Sequence, residues 1–237
     1  MRSHRTQLTL MPALAIALLA GTLLTGARAA ELSKSDMKAI RKAVPSEAPA
    51  DPAKNRTLLI FDRCEDYEHS SIPHANAALK AMGQKTGAFD VEVTDDMSVF
   101  TSDELDDYDA IAFNSPSGLE FGENQVQAIK DFLTDGKGIV GIHAAANMAP
   151  ESSEVFDILG GRADGHPWEA GQEWAVKIDD PTNPLNAAFG GDAFTLDAQV
   201  YKIVEPYSRD DVRVLSSLDM TNDRNHVEGH EKGDRSE

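Results

Sequence analysis

The chain reads as an α/β protein built on a doubly wound, mostly parallel sheet. Three observations predict this: short, wholly apolar segments about five residues long, amphipathic helical segments between them, and a polar loop after each apolar segment. Strands without polar alternation are buried on both faces, and helices inserted between them provide the crossovers that a parallel sheet needs. At 237 residues the chain has room for one sizeable domain with a full core.

Residues 1–29 stand apart. Arg2 and Arg5 precede an apolar stretch from Leu8 to Leu24 interrupted by Pro12, and Ala27-Arg28-Ala29 gives the small-x-small pattern that a signal peptidase accepts. The expectation is a secretory signal cleaved near Ala29, which leaves an exported protein, periplasmic or extracellular. Its densest apolar part, Ala13 to Leu24, falls short of the ~20 residues that span a bilayer. No later segment is apolar for long enough to cross one, so no membrane association is expected after cleavage.

Residues 30–55 read as a helix and a linker. Leu32, Met37, Ile40 and Val44 recur at helical spacing between Glu31 and Val44, with Ser33 or Ser35 as the cap, and Pro45, Pro49 and Pro52 punctuate the linker. The globular domain is expected over 56–237. Thr57 to Phe61 (TLLIF) is its first strand. Ile72 to Lys85 places Ala75, Ala78, Leu79 and Met82 on one helical face, behind Ser70 and Ser71 as cap candidates. Phe89 to Val93 and Asp109 to Phe113 are the next two strands, Glu123 to Thr134 a helix with Val126, Ile129, Phe132 and Leu133 on one face, and Gly138 to Ile142 a fourth, buried strand. Less regular strands, of mixed direction, are expected at Glu173 to Ile178 and Val212 to Leu218.

Charge narrows the partners. The formal net charge is −18, and loss of the three signal arginines takes it to −21. Such a surface repels nucleic acid and anionic lipid, both of which bind through Lys and Arg that neutralise phosphate. Neutral or cationic small ligands fit better. Cys64 is the single cysteine, so no internal disulfide forms; Glu65, Asp66 and Glu68 outweigh Arg63 beside it and argue against a reactive thiolate. No phosphate-binding glycine loop and no Gly-x-Ser-x-Gly elbow is present.

Ligands of open parallel sheets bind outside the carboxyl ends of the strands. That rule selects three loops: Asp62 to His69, Asn114 to Gly118, and the turn at His143. His69 lies just before a helix start and could equally serve as a capping residue. His143 ends an apolar strand, where a plain buried histidine also needs partners for its ring nitrogens. His166 sits in Asp164-Gly165-His166-Pro167-Trp168-Glu169, where an indole could stack on a pyranose; a surface turn is the plain alternative. Three imidazoles from separate loops suit a divalent metal, although no two of them share a helix face. His226 and His230 have i, i+4 spacing, but Gly229 and polar neighbours favour a loop.

These residues carry a resemblance. His69-Ser70-Ser71-Ile72-Pro73, Phe100-Thr101 ahead of Leu105-Tyr108-Asp109, Gly138-Ile-Val-Gly-Ile-His143-Ala144-Ala145, Gly165-His166-Pro167-Trp168 and Asp210-Asp211-Val212-x-Val214-Leu215 resemble, in order, the trehalose-utilisation (ThuA-like) family, from about Thr57 to Glu237. The resemblance implies a flavodoxin-like sheet, similar to that of class I glutamine amidotransferases. In those enzymes the strand matching Gly138 to Ile142 leads into a nucleophilic cysteine; here His143 and Ala144 to Ala146 stand there, so no amidotransferase activity is expected. Family members usually continue past Asn225 to Ser236 into a Pro-x-x-Trp strand and a Gly-rich aromatic strand ending near Leu-Gly-His. The expectation is therefore a domain incomplete at its C-terminus.

The resemblance implies work on trehalose or related disaccharides, through 3-keto intermediates. Its expected catalytic residues are His143, His69 and His166, lining one pocket and holding a divalent metal if one is used. Trp168, Asn114, Glu169 and Tyr201 are expected to bind the sugar. A 3-keto-glycoside hydrolase or lyase is the first expectation; a non-catalytic sugar-binding domain and a structural domain with a vestigial site are the alternatives.

Overall fold

The computed structural model describes residues 32–230. The expected signal segment lies outside them, as do 231–237. Helix α1 (Lys34–Ala43) starts at Ser33, whose hydroxyl accepts from the Asp36 N–H at 3.1 Å, so Ser33 and not Ser35 is the cap. Its tail is tied down where Lys85 donates to the carbonyls of Arg41 and Val44.

The central sheet contains β1 (Thr57–Phe61), β2 (Asp90–Thr94), β3 (Ala110–Asn114) and β4 (Gly138–Ile142). All pairs are parallel and the order is β2-β1-β3-β4. The alternation of strand and helix predicts a parallel sheet, and this order is the flavodoxin-like one that the family resemblance implies. Helices α2 (Ile72–Thr86), α3 (Ser102–Leu105), α4 (Glu123–Thr134) and α5 (Ser153–Leu159) make the connections and flank the sheet. The β2 strand begins one residue later than expected. The α2 cap also differs: Ser71 is the N-cap residue but its side chain makes no capping bond, and Pro73 in the first turn, with its preset φ, starts the helix instead.

Leu59, Ile60 and Phe61 of β1 and Ile111, Ala112 and Phe113 of β3 are at most 1 % exposed, because these two strands have neighbours on both sides. Phe61 meets Phe100 edge-on at 4.7 Å between centroids, and Phe100 stacks on Phe113 at 5.9 Å. Burying each such ring stabilises the fold by about 1.5–3 kcal/mol. The Phe100-Thr101 and Leu105-Tyr108-Asp109 pieces of the sequence prove structural. Thr101 caps α3, Leu105 is buried, and Asp109 accepts from the Thr57 N–H and ion-pairs with Lys54 and Arg56. Asp109 holds the amino end of the sheet, opposite the candidate site, whereas Phe100 packs at the carboxyl ends of β1 and β3.

Strand β4 departs from expectation. Its apolar sequence predicts burial, yet Val140 is 52 % exposed. The strand order explains this: β4 is an edge, paired only with β3. Its apolar run is only half used, with Ile139 packed on the core.

Past α5 the chain forms β5 (Arg162–Ala163), β6 (Glu173–Ile178), β7 (Phe194–Asp197), β8 (Ile203–Val204) and β9 (Ser216–Leu218). β5 pairs with β8, and β6 lies between β7 and β9; every one of these pairs is antiparallel. The expected strand from Val212 is paired only over β9. Asn225, with no exposed surface, secures this region: its amide donates to the carbonyls of Ala175 and Asp219 and accepts from the Ala175 N–H. Among the described residues no helix is long and apolar enough to cross a membrane.

Candidate functional site

In the order β2-β1-β3-β4 the chain turns one way from β1 and the other way from β3, so a crevice opens beyond their carboxyl ends. The loops there are tied together. The Glu65 N–H donates to the Ser117 carbonyl at 2.8 Å, and the Ser115 N–H donates to the carbonyl of Ile142 at 3.2 Å. Two residues at this edge have left-handed backbones, Ser115 with φ 54° and His143 with φ 48°. Neither is glycine. Such a conformation costs about 1–3 kcal/mol and persists only where surrounding structure enforces it, commonly at functional sites.

His143 therefore sits on a sharp strand-to-helix turn: β4 ends at Ile142 and a 3₁₀ turn runs from His143 to Asn147. The turn projects the imidazole into a row of rings. His69 meets it edge-on at 4.5 Å between centroids, and Tyr201 stacks on it at 4.8 Å and 28°. Tyr67 meets His69 at 4.8 Å on one side, and His166 meets Tyr201 at 5.9 Å on the other. The three histidines come together, with Tyr201 between two of them.

Their chemistry differs. Burial first, and the neighbouring His69 and His166 second, lower the pKa of His143 below the ordinary 6.5. Burial lowers that of His69 in the same direction. At neutral pH both are uncharged, and a neutral imidazole accepts a proton. His166 is oriented instead by polar partners: its Nδ1 lies 2.8 Å from Glu169 Oε1 and 3.0 Å from Gln199 Nε2. The carboxylate only accepts, so it selects the tautomer with hydrogen on Nδ1, and the Gln199 amide donates to Glu169 Oε2 at 3.2 Å. Bonds from Gln199 and then His166 hold the Glu169 carboxyl below the ordinary carboxylate range. Burial raises the Tyr201 phenol, which keeps it a hydrogen-bond donor.

The metal expectation does not fit this arrangement. Among the described residues no three His, Cys, Asp or Glu side chains are placed to hold one ion. Tyr201 lies against both His143 and His166, so these two imidazoles face its ring. His226 and His230 also fail as a pair: His226 closes a 3₁₀ turn and His230 packs edge-on against Trp168.

Two expected sugar contacts, Trp168 and Asn114, are almost wholly buried. Trp168 is 2 % exposed and its indole N–H donates to the Asn225 carbonyl at 3.0 Å, yet it also stands in the wall of the cleft that His143 and Tyr201 line. Asn114 is 1 % exposed and lies beneath the crevice. Its amide donates to the carbonyl of Ile72 and to Asn76 Oδ1, and Asn76 in turn donates to Asp62. This network fixes the start of α2. Cys64 is half-buried, close to the carbonyls of Asp62 and Ser115, and burial raises its thiol pKa.

His143 and Tyr201 also line a cleft of about 850 Å³, whose walls are otherwise largely apolar, with Ile139, Leu159, Val212 and Leu218 among them. His69 and His166 stand outside that lining. Sequence reasoning missed three residues here. Tyr67 and Ser115 lie in the loops it selected but carried no motif of their own; Gln199 had no local signal, since 33 positions separate it from His166.

A family model described as trehalose utilisation (ThuA) matches residues 57–234. A ThuA-like protein from Bacteroides uniformis ATCC 8492 is similar in structure, with a TM-score of 0.58 at 24% identity over 74% of this chain and 73% of that one. Another from Parabacteroides merdae ATCC 43184 has a TM-score of 0.54 at 18% identity, over 70% and 68% of the two chains. Both likenesses concern the fold. No protein of curated function matches the chain.

Proposed function

The chain belongs to the trehalose-utilisation (ThuA) family, with the broad role in trehalose utilisation that the family carries, and from that premise we propose an exported enzyme acting on a neutral 3-keto-glycoside. The observation that supports this reading is His143, a neutral histidine in a left-handed backbone at a strand end, with its ring against His69 and Tyr201.

A ketone at C3 acidifies the hydrogen on C2. His143 takes that proton, the C2–H electron pair becomes a C1=C2 double bond, and the glycosidic C1–O bond breaks with its electrons on the departing oxygen. The imidazolium so formed is the nearest acid to protonate that oxygen. Water then adds across the double bond, the hydroxyl to C1 and a proton to C2, giving the free 3-keto sugar. Tyr201 donates to the oxygen that gains charge, and Glu169, itself held by the Gln199 amide, keeps His166 in place beside it.

The test is release of glucose from 3-keto-trehalose by the full chain, assayed with divalent metals supplied. His143→Ala is expected to lower kcat/KM by about 10²–10⁴-fold, the contribution of a positioned base. Saturable binding heat without product would replace this reading with that of a sugar-binding domain.

A further inference from the structure

The row of rings around His143 runs along the carboxyl edge of the sheet. Beyond His69 lies Tyr67, 64 % exposed, the most exposed aromatic ring among the described residues that line this edge. Its position is held firmly. The Tyr67 N–H donates to Ser117 Oγ at 3.0 Å, and the same hydroxyl donates to the Tyr67 carbonyl at 2.8 Å. Ser117 is itself 8 % exposed and pairs with Cys64 in an isolated parallel bridge, so β1 and β3 are extended by a short ladder that carries Tyr67 at its tip. Its ring meets His69 at 4.8 Å with the planes 72° apart, and its exposure leaves ring surface open to solvent.

An aromatic ring fixed in the open forfeits the burial that usually justifies it, and one beside a row of catalytic candidates offers a flat apolar face to a ligand. The chemistry around it defines that ligand. Glu65, Asp66 and Glu68 are exposed on either side. Carboxylates accept from hydroxyl groups and repel anions, so the surface suits a neutral polyhydroxylated ring with an apolar C–H face and rejects phosphorylated or acidic sugars.

We propose that Tyr67 is the platform of a second carbohydrate subsite, which stacks on the leaving-group ring of a disaccharide whose first ring lies against His143 and Tyr201. This subsite rests on the 3-keto-glycoside reading and names the specificity of the same site. Ser117 acts through Tyr67 as a positioning residue.

Calorimetric titration of the full chain with trehalose and with methyl α-glucoside tests it. Neither carries the ketone, so the heats report binding alone. Tyr67→Ala is expected to weaken trehalose about 5–10-fold and leave methyl α-glucoside within about 2-fold, while Tyr67→Phe, which keeps the face, restores the preference for two rings. An unchanged ratio in Tyr67→Ala, with both sugars weakened by His143→Ala, overturns the second subsite and leaves the sugar site standing. Failure of the unaltered protein to bind either sugar overturns both.

Discussion

Among single residues, His143 carries the proposed chemistry. Its lowered pKa, caused first by burial and then by His69 and His166, places the acidic limb of kcat/KM below pH 6.5, where an exposed histidine would titrate. A pH–rate profile with 3-keto-trehalose checks this. The linkage has a definite sign. The folded form binds its proton less readily than the unfolded form, so this group costs no stability above pH 6.5 and destabilises the fold as pH falls through that value. A denaturation series across that range should show the loss for the unaltered protein and less of it for His143→Gln. The sequence revealed where this histidine lies, because an apolar run ending in His at a turn is a local pattern. Its positive φ and its stacking on Tyr201 were not legible, since Tyr201 is brought to it by chain contacts 58 positions away. Trp168 shows the opposite case. A Trp beside a loop His resembles a sugar platform, but the Asn225 carbonyl that takes its N–H is visible only in the folded chain.

Among the elements, α2 positions the candidate site, and its packing is close at Gly83. A Cβ there would lie 2.4 Å from the Phe89 carbonyl oxygen, a backbone atom with little freedom to withdraw. Gly83→Ala is therefore expected to destabilise by about 1–3 kcal/mol despite alanine's better helix propensity, measured by chemical denaturation. An unchanged or raised midpoint would show that α2 can slide on the sheet. The helices were legible because apolar residues three and four apart survive in any context: Val126, Ile129 and Phe132 of α4 are all at most 3 % exposed. Capping was less so. Ser70 and Ser71 look like caps by type, yet neither is used as one by its side chain, because Pro73 already constrains the first turn. The antiparallel part was the hardest to read, since β5, β8 and β9 are two or three residues long and leave no periodicity to detect.

For the molecule as a whole, the sheet decides where chemistry can occur, and its parallel, doubly wound character was legible from the alternation of strand and helix. The place of β4 was not: an apolar strand reads as buried whichever neighbours it has, and only the order β2-β1-β3-β4 reveals it as an edge. The acidic balance of −18 and the proposed export agree with a neutral sugar as ligand. Export makes its own prediction: N-terminal sequencing of the protein recovered from outside the cytoplasm should begin near Ala30, and an intact Met1 terminus there would contradict it. Removal of the C2 hydrogen of a 3-keto sugar by His143 is the step on which the proposed chemistry depends, and 3-keto-trehalose deuterated at C2 reports on it. Glucose release should carry the deuterium from C2 into solvent and slow at least about 100-fold in His143→Ala. Product that retains deuterium at C2, or an undiminished rate in His143→Ala, would contradict that step.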